Sequence, residues 1–212
     1  MTDRLFLASR NDGKLAEMQR ILRAHAPDLV VVGLGEVAAY DEPVEDRPTF
    51  EGNALLKARA GLTATGLPSV ADDSGLCVDA LNGMPGVLSA RWSGPPKSDA
   101  RNNELLLAQL DNVPDERRGA YFACVVAYCH PDGTEAVVRG EMHGRVIRER
   151  RGDGGFGYDV VFEADQHPGT TSAELTPEAK DAISHRGKAL REIAPLIARS
   201  LGGRQPGPVA RS

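Results

Sequence analysis

Short apolar runs alternate with helically spaced ones through the first third of the chain, and paired strand patterns take over from Tyr121. Leu5-Phe6-Leu7-Ala8 is a continuous apolar run, the pattern of a buried strand, and it stops at Ser9-Arg10-Asn11-Asp12-Gly13. Leu15, Met18, Ile21 and Leu22 then recur at three- and four-residue spacing and Pro27 closes the segment, which predicts a helix. Leu29 to Leu34 reads as a second strand. After an acidic, proline-bearing loop from Asp41 to Pro48, Thr49 is the expected N-cap of an Ala- and Leu-rich helix reaching Thr65, with Gly66 past its end. Pro68 opens another strand, Ser69-Val70-Ala71, expected to break into a turn at Asp72-Asp73-Ser74-Gly75.

Ser98 or Asp99 can cap a helix through Leu105, Leu106 and Leu110, ended by Pro114. Tyr121 to Tyr128 and Thr134 to Val138, joined by His130-Pro131-Asp132-Gly133, predict a hairpin, so antiparallel pairing enters the sheet. Gly152 to Gly157 reads as a glycine-rich loop, Val160 to Phe162 as a short strand, and Pro177 to about Arg199 as helix broken near Gly187. Residues 202–212 carry no apolar period and are expected to be a frayed, disordered tail, leaving 1–201 as one two-lobed domain. Strand-helix alternation early and a hairpin late together imply an α/β fold with a mixed sheet and flanking helices. The natural site is a cleft between the lobes.

Composition narrows the function classes. Of 212 residues, 41% are hydrophobic and 26% charged, which argues against disorder and fibrous classes. Lys and Arg total 25 against 30 Asp and Glu, a net charge of -5 and the opposite of a non-specific nucleic-acid binder. An anionic substrate would need a local basic pocket. The longest apolar-rich run, Ala120 to Cys129, is about half a membrane span. No stretch near the N-terminus resembles a signal peptide, so the expected location is cytoplasmic. Cys77, Cys124 and Cys129 lack metal-ligand spacing and read as buried thiols.

Four segments carry candidate chemistry. Ser9-Arg10-Asn11-Asp12-Gly13-Lys14 lies between a strand end and a helix start, where unpaired N–H groups and the helix dipole favour phosphate; a polar connection with a solvated lysine is the plainer reading. In Asp72-Asp73-Ser74-Gly75, neighbouring side chains of an extended segment face opposite ways, so one aspartate faces a given cleft and the other orients its surroundings. Mg2+ is commonly held by one or two carboxylates plus substrate phosphates, and Glu45 or Asp46 could add one. Gly152 to Asp159 sets Phe156 among small residues, where the ring could lie flat on a nucleobase and Asp159 accept from base N–H groups; a glycine-rich hairpin with a core Phe competes. Ser184-His185-Arg186-Gly187-Lys188, with Lys180 upstream, puts polar and basic groups at a helix break or in a surface charge cluster. Lys57, Arg91 and Trp92 need no function.

Taken in order, S-R-N-D-G-K at 9–14, T-F-E-G-N-A-L-L-K-A at 49–58, A-D-D-S-G-L at 71–76, G-G-F-G-Y-D at 154–159 and S-H-R-G-K-A-L at 184–190 span nearly the whole chain apart from the tail. This combination resembles the inosine triphosphate pyrophosphatase family, in particular its bacterial members acting on dITP and XTP. The resemblance implies Mg2+-dependent cleavage of non-canonical purine nucleoside triphosphates (ITP, dITP, XTP) between the α and β phosphates. It implies phosphate binding by Ser9, Arg10, Asn11, Asp12, Gly13 and Lys14, with Asp73 the catalytic acceptor and a metal carboxylate, Glu45 a further metal carboxylate, and Ser74 touching substrate. Phe156, Gly157, Tyr158, Asp159, Lys180, His185 and Arg186 would hold and read the base. An elongated mixed sheet, two lobes around a nucleotide cleft and a homodimer are also implied. Ser9-Arg10 stands where many members have Thr-Gly, and Gly52 where many have Glu. A Maf-like pyrophosphatase lacks an obvious claim on the F-G-Y-D and S-H-R-G segments.

Overall fold

The computed structural model describes residues 4–9, 12–24 and 27–202. Six strands form one mixed sheet in the order β2-β1-β3-β4-β5-β6. β1 (Arg4–Leu7) lies parallel between β2 (Val30–Val32) and β3 (Ser69–Val78). β3, β4 (Gly119–Cys129), β5 (Glu135–Val146) and β6 (Phe162–Ala164) pair antiparallel in succession.

α1 (Asp12–Arg23) joins β1 to β2, and α2 (Phe50–Thr65) carries the chain back past β1 to β3. The two helices cover opposite faces. Met18 and Leu22 of α1 pack with Leu5, Leu7, Val70 and Ile193, whereas Ala54 and Ala58 of α2 pack with Phe6, Ala71 and Val125. The chain leaves β1 toward β2 through α1, while β3 lies on the other side of β1 and leads away through β4, so the connections diverge at the carboxyl ends of β1 and β3, the kind of switch point where open α/β sheets form ligand crevices. α2 has the predicted ends: the Thr49 hydroxyl accepts from the Gly52 N–H, and Gly66 closes it at φ +67. α3 (Asp99–Gln109) is capped by Ser98.

Several boundaries depart from expectation. Asp72-Asp73-Ser74-Gly75 is not a turn: β3 runs on to Val78, paired residue for residue with β4. Gly75 serves a close approach, since a Cβ there would overlap the Gly86 carbonyl oxygen and the Ser89 hydroxyl. The helical break lies at Ser184, between α4 (Pro177–Ile183) and α5 (His185–Gly202), not at Gly187. Ser184 leaves helical geometry at ψ 146, and its hydroxyl takes the Gly187 N–H at 2.9 Å, as an N-cap does. The second predicted strand contracts to Val30–Val32. The segment expected as strand at Val160 to Phe162 is a 3-10 turn over Asp159–Val161 followed by β6. The hairpin arms are longer than predicted, because β5 continues past Val138 to meet β6. All three cysteines are buried and none forms a disulfide. Among the described residues no helix is long and apolar enough to cross a membrane.

Candidate active site

β1 ends at Leu7 after pairing with Ser69 and Val70, and the Ala8 N–H makes one further bond to Val70 O at 2.9 Å. β3 continues without a strand on that side until Cys77 meets Pro85. The Ala71 to Leu76 edge is therefore reachable from both faces of the sheet, and the alternation of β3 sends Asp73 to one face and Asp72 and Ser74 to the other.

On the α2 face, Asp73 is 7% exposed and accepts from the Asn53 amide at 3.0 Å and from the Ser74 N–H at 3.0 Å. Burial raises its pKa above the usual aspartate range and Glu45 and Asp72 add to the rise, while the Lys57 charge and the Asn53 bond oppose it. Burial pulls Lys57 the other way, but the charges of Asp72, Asp73 and Glu45 outweigh it and hold the ammonium above its ordinary value. Lys57 donates to Glu45 at 2.7 Å, and Arg91 donates to the Glu45 carbonyl at 3.1 Å. Lys57, Glu45 and Arg91, with Ala8, Tyr40 and Lys97, line a cleft of about 500 Å³. Lys57 and Arg91, set aside in the sequence as unremarkable, thus belong to the cleft. The available signal was the spacing Asn53 to Lys57, one helical turn that places both side chains on the face toward β3.

On the other face Arg186 is 7% exposed, pairs with Asp72 at 3.4 Å and reaches the Ser74 hydroxyl at 3.2 Å. The Phe156 ring is exposed, with the Lys180 ammonium 5.3 Å and the Arg186 guanidinium 5.9 Å from its centroid. Asp159 is buried and engaged within the protein, by the Lys180 ammonium and by the Phe156 N–H at 2.8 Å. The Tyr158 side chain is buried, and its hydroxyl donates to the Ser89 carbonyl at 3.0 Å, so it anchors the loop from within. His185 is buried and stacks on Phe122 at 5.0 Å.

Ser9 stands at the end of β1, half-buried, with its N–H on Leu7 O. Arg10 and Asn11 lie outside the described residues, and of Asp12, Gly13 and Lys14 the helical backbone alone is described. The start of α1 therefore falls at the switch point, where helix N–H groups favour anions.

A family model described as the Ham1 family matches residues 5–196. The chain belongs to the Ham1 family. A Ham1 relative from Nocardia farcinica, "dITP/XTP pyrophosphatase", is 60% identical over 196 residues, covering 92% of this chain and 95% of its own. The crystal structure of "Nucleoside-triphosphatase / dITP/XTP pyrophosphatase" from Mycobacterium abscessus is 53% identical, with TM-score 0.76 over 91% of this chain and 99% of that one. A HAM1 protein from Coxiella burnetii superimposes with TM-score 0.85 at 39% identity, over 93% of this chain and 99% of its own. These Ham1 folds carry the mixed α/β architecture read from the sequence.

Proposed function

We propose that the protein hydrolyses non-canonical purine nucleoside triphosphates, ITP, dITP and XTP, to the monophosphate and pyrophosphate. The observation that carries the reading is Asp73: a buried carboxylate of raised pKa, coupled to Lys57 of the cleft that Arg91 and Lys97 also line, one residue from the Ser74-Arg186-Phe156 platform. Relatives of 54% and 60% identity named dITP/XTP pyrophosphatase support it.

A base whose pKa sits above the ordinary carboxylate range takes a proton from water more readily than an exposed aspartate does. Asp73 accepts that proton as the water oxygen attacks the α phosphorus. The α–β anhydride bond breaks, and pyrophosphate leaves with the bonding pair. Lys57 and Arg91 lie where charge builds on the phosphate oxygens. Ser9 to Lys14 hold phosphate through the start of α1.

The donor set suits Mg2+. Asp73 and Glu45 are two carboxylates acting on one ammonium, no larger acidic or imidazole cluster occurs among the described residues, and Mg2+ characteristically completes such a pair with substrate phosphates and water. Bound there, Mg2+ would neutralise phosphate charge.

On the base side, the 6-oxo acceptor of hypoxanthine or xanthine meets donors from Arg186, Lys180 or His185, while Phe156 stacks on the ring. Adenine would set its 6-amino donor against those donors. A single two-lobed domain over 1–201, a cytoplasmic location and a homodimer go with this reading; three buried thiols, none in a disulfide, accord with a reducing compartment.

Chromatography of the products decides the reaction. ITP with Mg2+ should yield IMP and pyrophosphate in equal amounts; IDP with orthophosphate would overturn the assignment.

A further inference from the structure

Loop 152–157 holds Phe156 in the open: the ring is 56% exposed, and its neighbours Gly155 and Gly157 take φ +71 and +61. Glycines in that region leave a loop many alternatives, so something must restrain it. The restraint comes from α3. Asp99 accepts the Gly157 N–H at 2.7 Å. Asn103, one turn along, donates to the Gly157 carbonyl at 2.8 Å and to the Asp99 carbonyl at 2.8 Å. Both backbone polar groups of Gly157 are thus held by one helix. Tyr158 continues the attachment inward to the Ser89 carbonyl, and the Ser89 hydroxyl takes the Leu76 N–H of β3 at 2.9 Å. A path of hydrogen bonds therefore joins the Phe156 loop to the strand carrying Asp73.

Packing alone does not account for Asn103. It is 1% exposed, and its amide oxygen has no hydrogen-bond partner among the described residues. A leucine of similar shape would fill the space without burying that acceptor. The amide nitrogen, by contrast, is fully used, bridging the loop carbonyl of Gly157 and the Asp99 carbonyl of its own helix.

We propose that Asp99 and Asn103 are positioning residues for purine recognition: by fixing both backbone groups of Gly157, they place the Phe156 ring where Lys180 and Arg186 hold a purine against it. The inference rests on the reading of Phe156 as the purine platform. A loosened loop must be ordered anew at each binding event, which raises KM for the purine substrate more than it lowers kcat.

Steady-state kinetics with ITP and ATP on the full chain, with melting temperature followed in parallel, test this. Asn103→Leu and Asp99→Ala should each raise KM for ITP about tenfold, with kcat within about threefold of the parent, and should lower the ITP-to-ATP ratio of kcat/KM. Asp99→Asn keeps an oxygen for the Gly157 N–H and should recover most of the lost KM. Unchanged KM and unchanged ratio in folded Asn103→Leu overturn the positioning role, even where Asp99→Ala does not fold, and so does a shift in melting temperature alone. Failure of the platform reading looks different: the parent then shows no preference for ITP over ATP, or Phe156→Ala leaves KM unaltered, and the proposal falls with it.

Discussion

As the proposed proton acceptor, Asp73 would have to ionise where burial resists ionisation, and Lys57 is the charge that favours it. A carboxyl held above its unfolded pKa binds its proton more tightly in the folded chain; it favours folding below that raised pKa and costs stability at higher pH, where it is charged. Asp73→Asn should therefore lower turnover of ITP by about 100-fold or more while raising the melting temperature at neutral pH, checked by kinetics and calorimetry. Asp72→Asn should be milder in kcat, since that carboxylate faces Arg186 on the other side of the sheet. Equal, small losses at both positions would remove Asp73 from the role of acceptor. The opposed facing of the two aspartates was legible from strand alternation. That the polar run 72–75 is strand and not turn was not legible, because Asp, Ser and Gly are turn-formers locally, and the β4 partner that overrides them lies about fifty residues away. For Lys57 the helical spacing to Asn53 shows only that the two share a face; its significance depends on Glu45, Asp73 and Asp72, which that spacing does not bring into view.

At the scale of elements, α2 was legible to both ends because a Thr cap and a left-handed Gly are local signals. In the sequence the α4–α5 break reads as lying near Gly187, within the Ser184 to Lys188 segment, and the break falls at Ser184 at its start. Gly187 is instead a close contact, where a Cβ would stand 2.5 Å from the Asp181 carbonyl. Ser184 alone caps the next helix. Gly75 makes the analogous contact within β3, and Gly75→Ala should destabilise the protein by about 1–3 kcal/mol through overpacking against Gly86 and Ser89, read as a lower urea midpoint at unchanged slope. Because Ser89 also receives the Leu76 N–H and lies under Tyr158, the same substitution should weaken ITP binding.

Across the whole molecule, the Asp73 cluster and the Arg186–Ser74 cluster occupy opposite faces of one sheet and meet where β3 outruns β1, so the proposed phosphate and base sites adjoin through the strand. Arg186→Ala should therefore erode the preference for ITP and XTP over ATP, a discrimination that buried hydrogen bonds can carry to roughly 10^4, while sparing much of kcat. Catalytic efficiencies for the three nucleotides in parent and variant decide this; an intact preference would transfer the reading role to Lys180 or His185. The adjacency of Asp72 and Asp73 has a consequence for quality control. If β3 paired one residue out of register, every side chain would change faces, and with Asp72 in the place of Asp73 a carboxylate would again face Lys57 while Asp73 turned toward Arg186. Charge alone therefore does not reject that slip. The tight seat of Gly75 does: Ser74 would stand in its place, and its Cβ would overlap the Gly86 carbonyl oxygen and the Ser89 hydroxyl, so a position with no side chain proofreads the register of the two that carry charge.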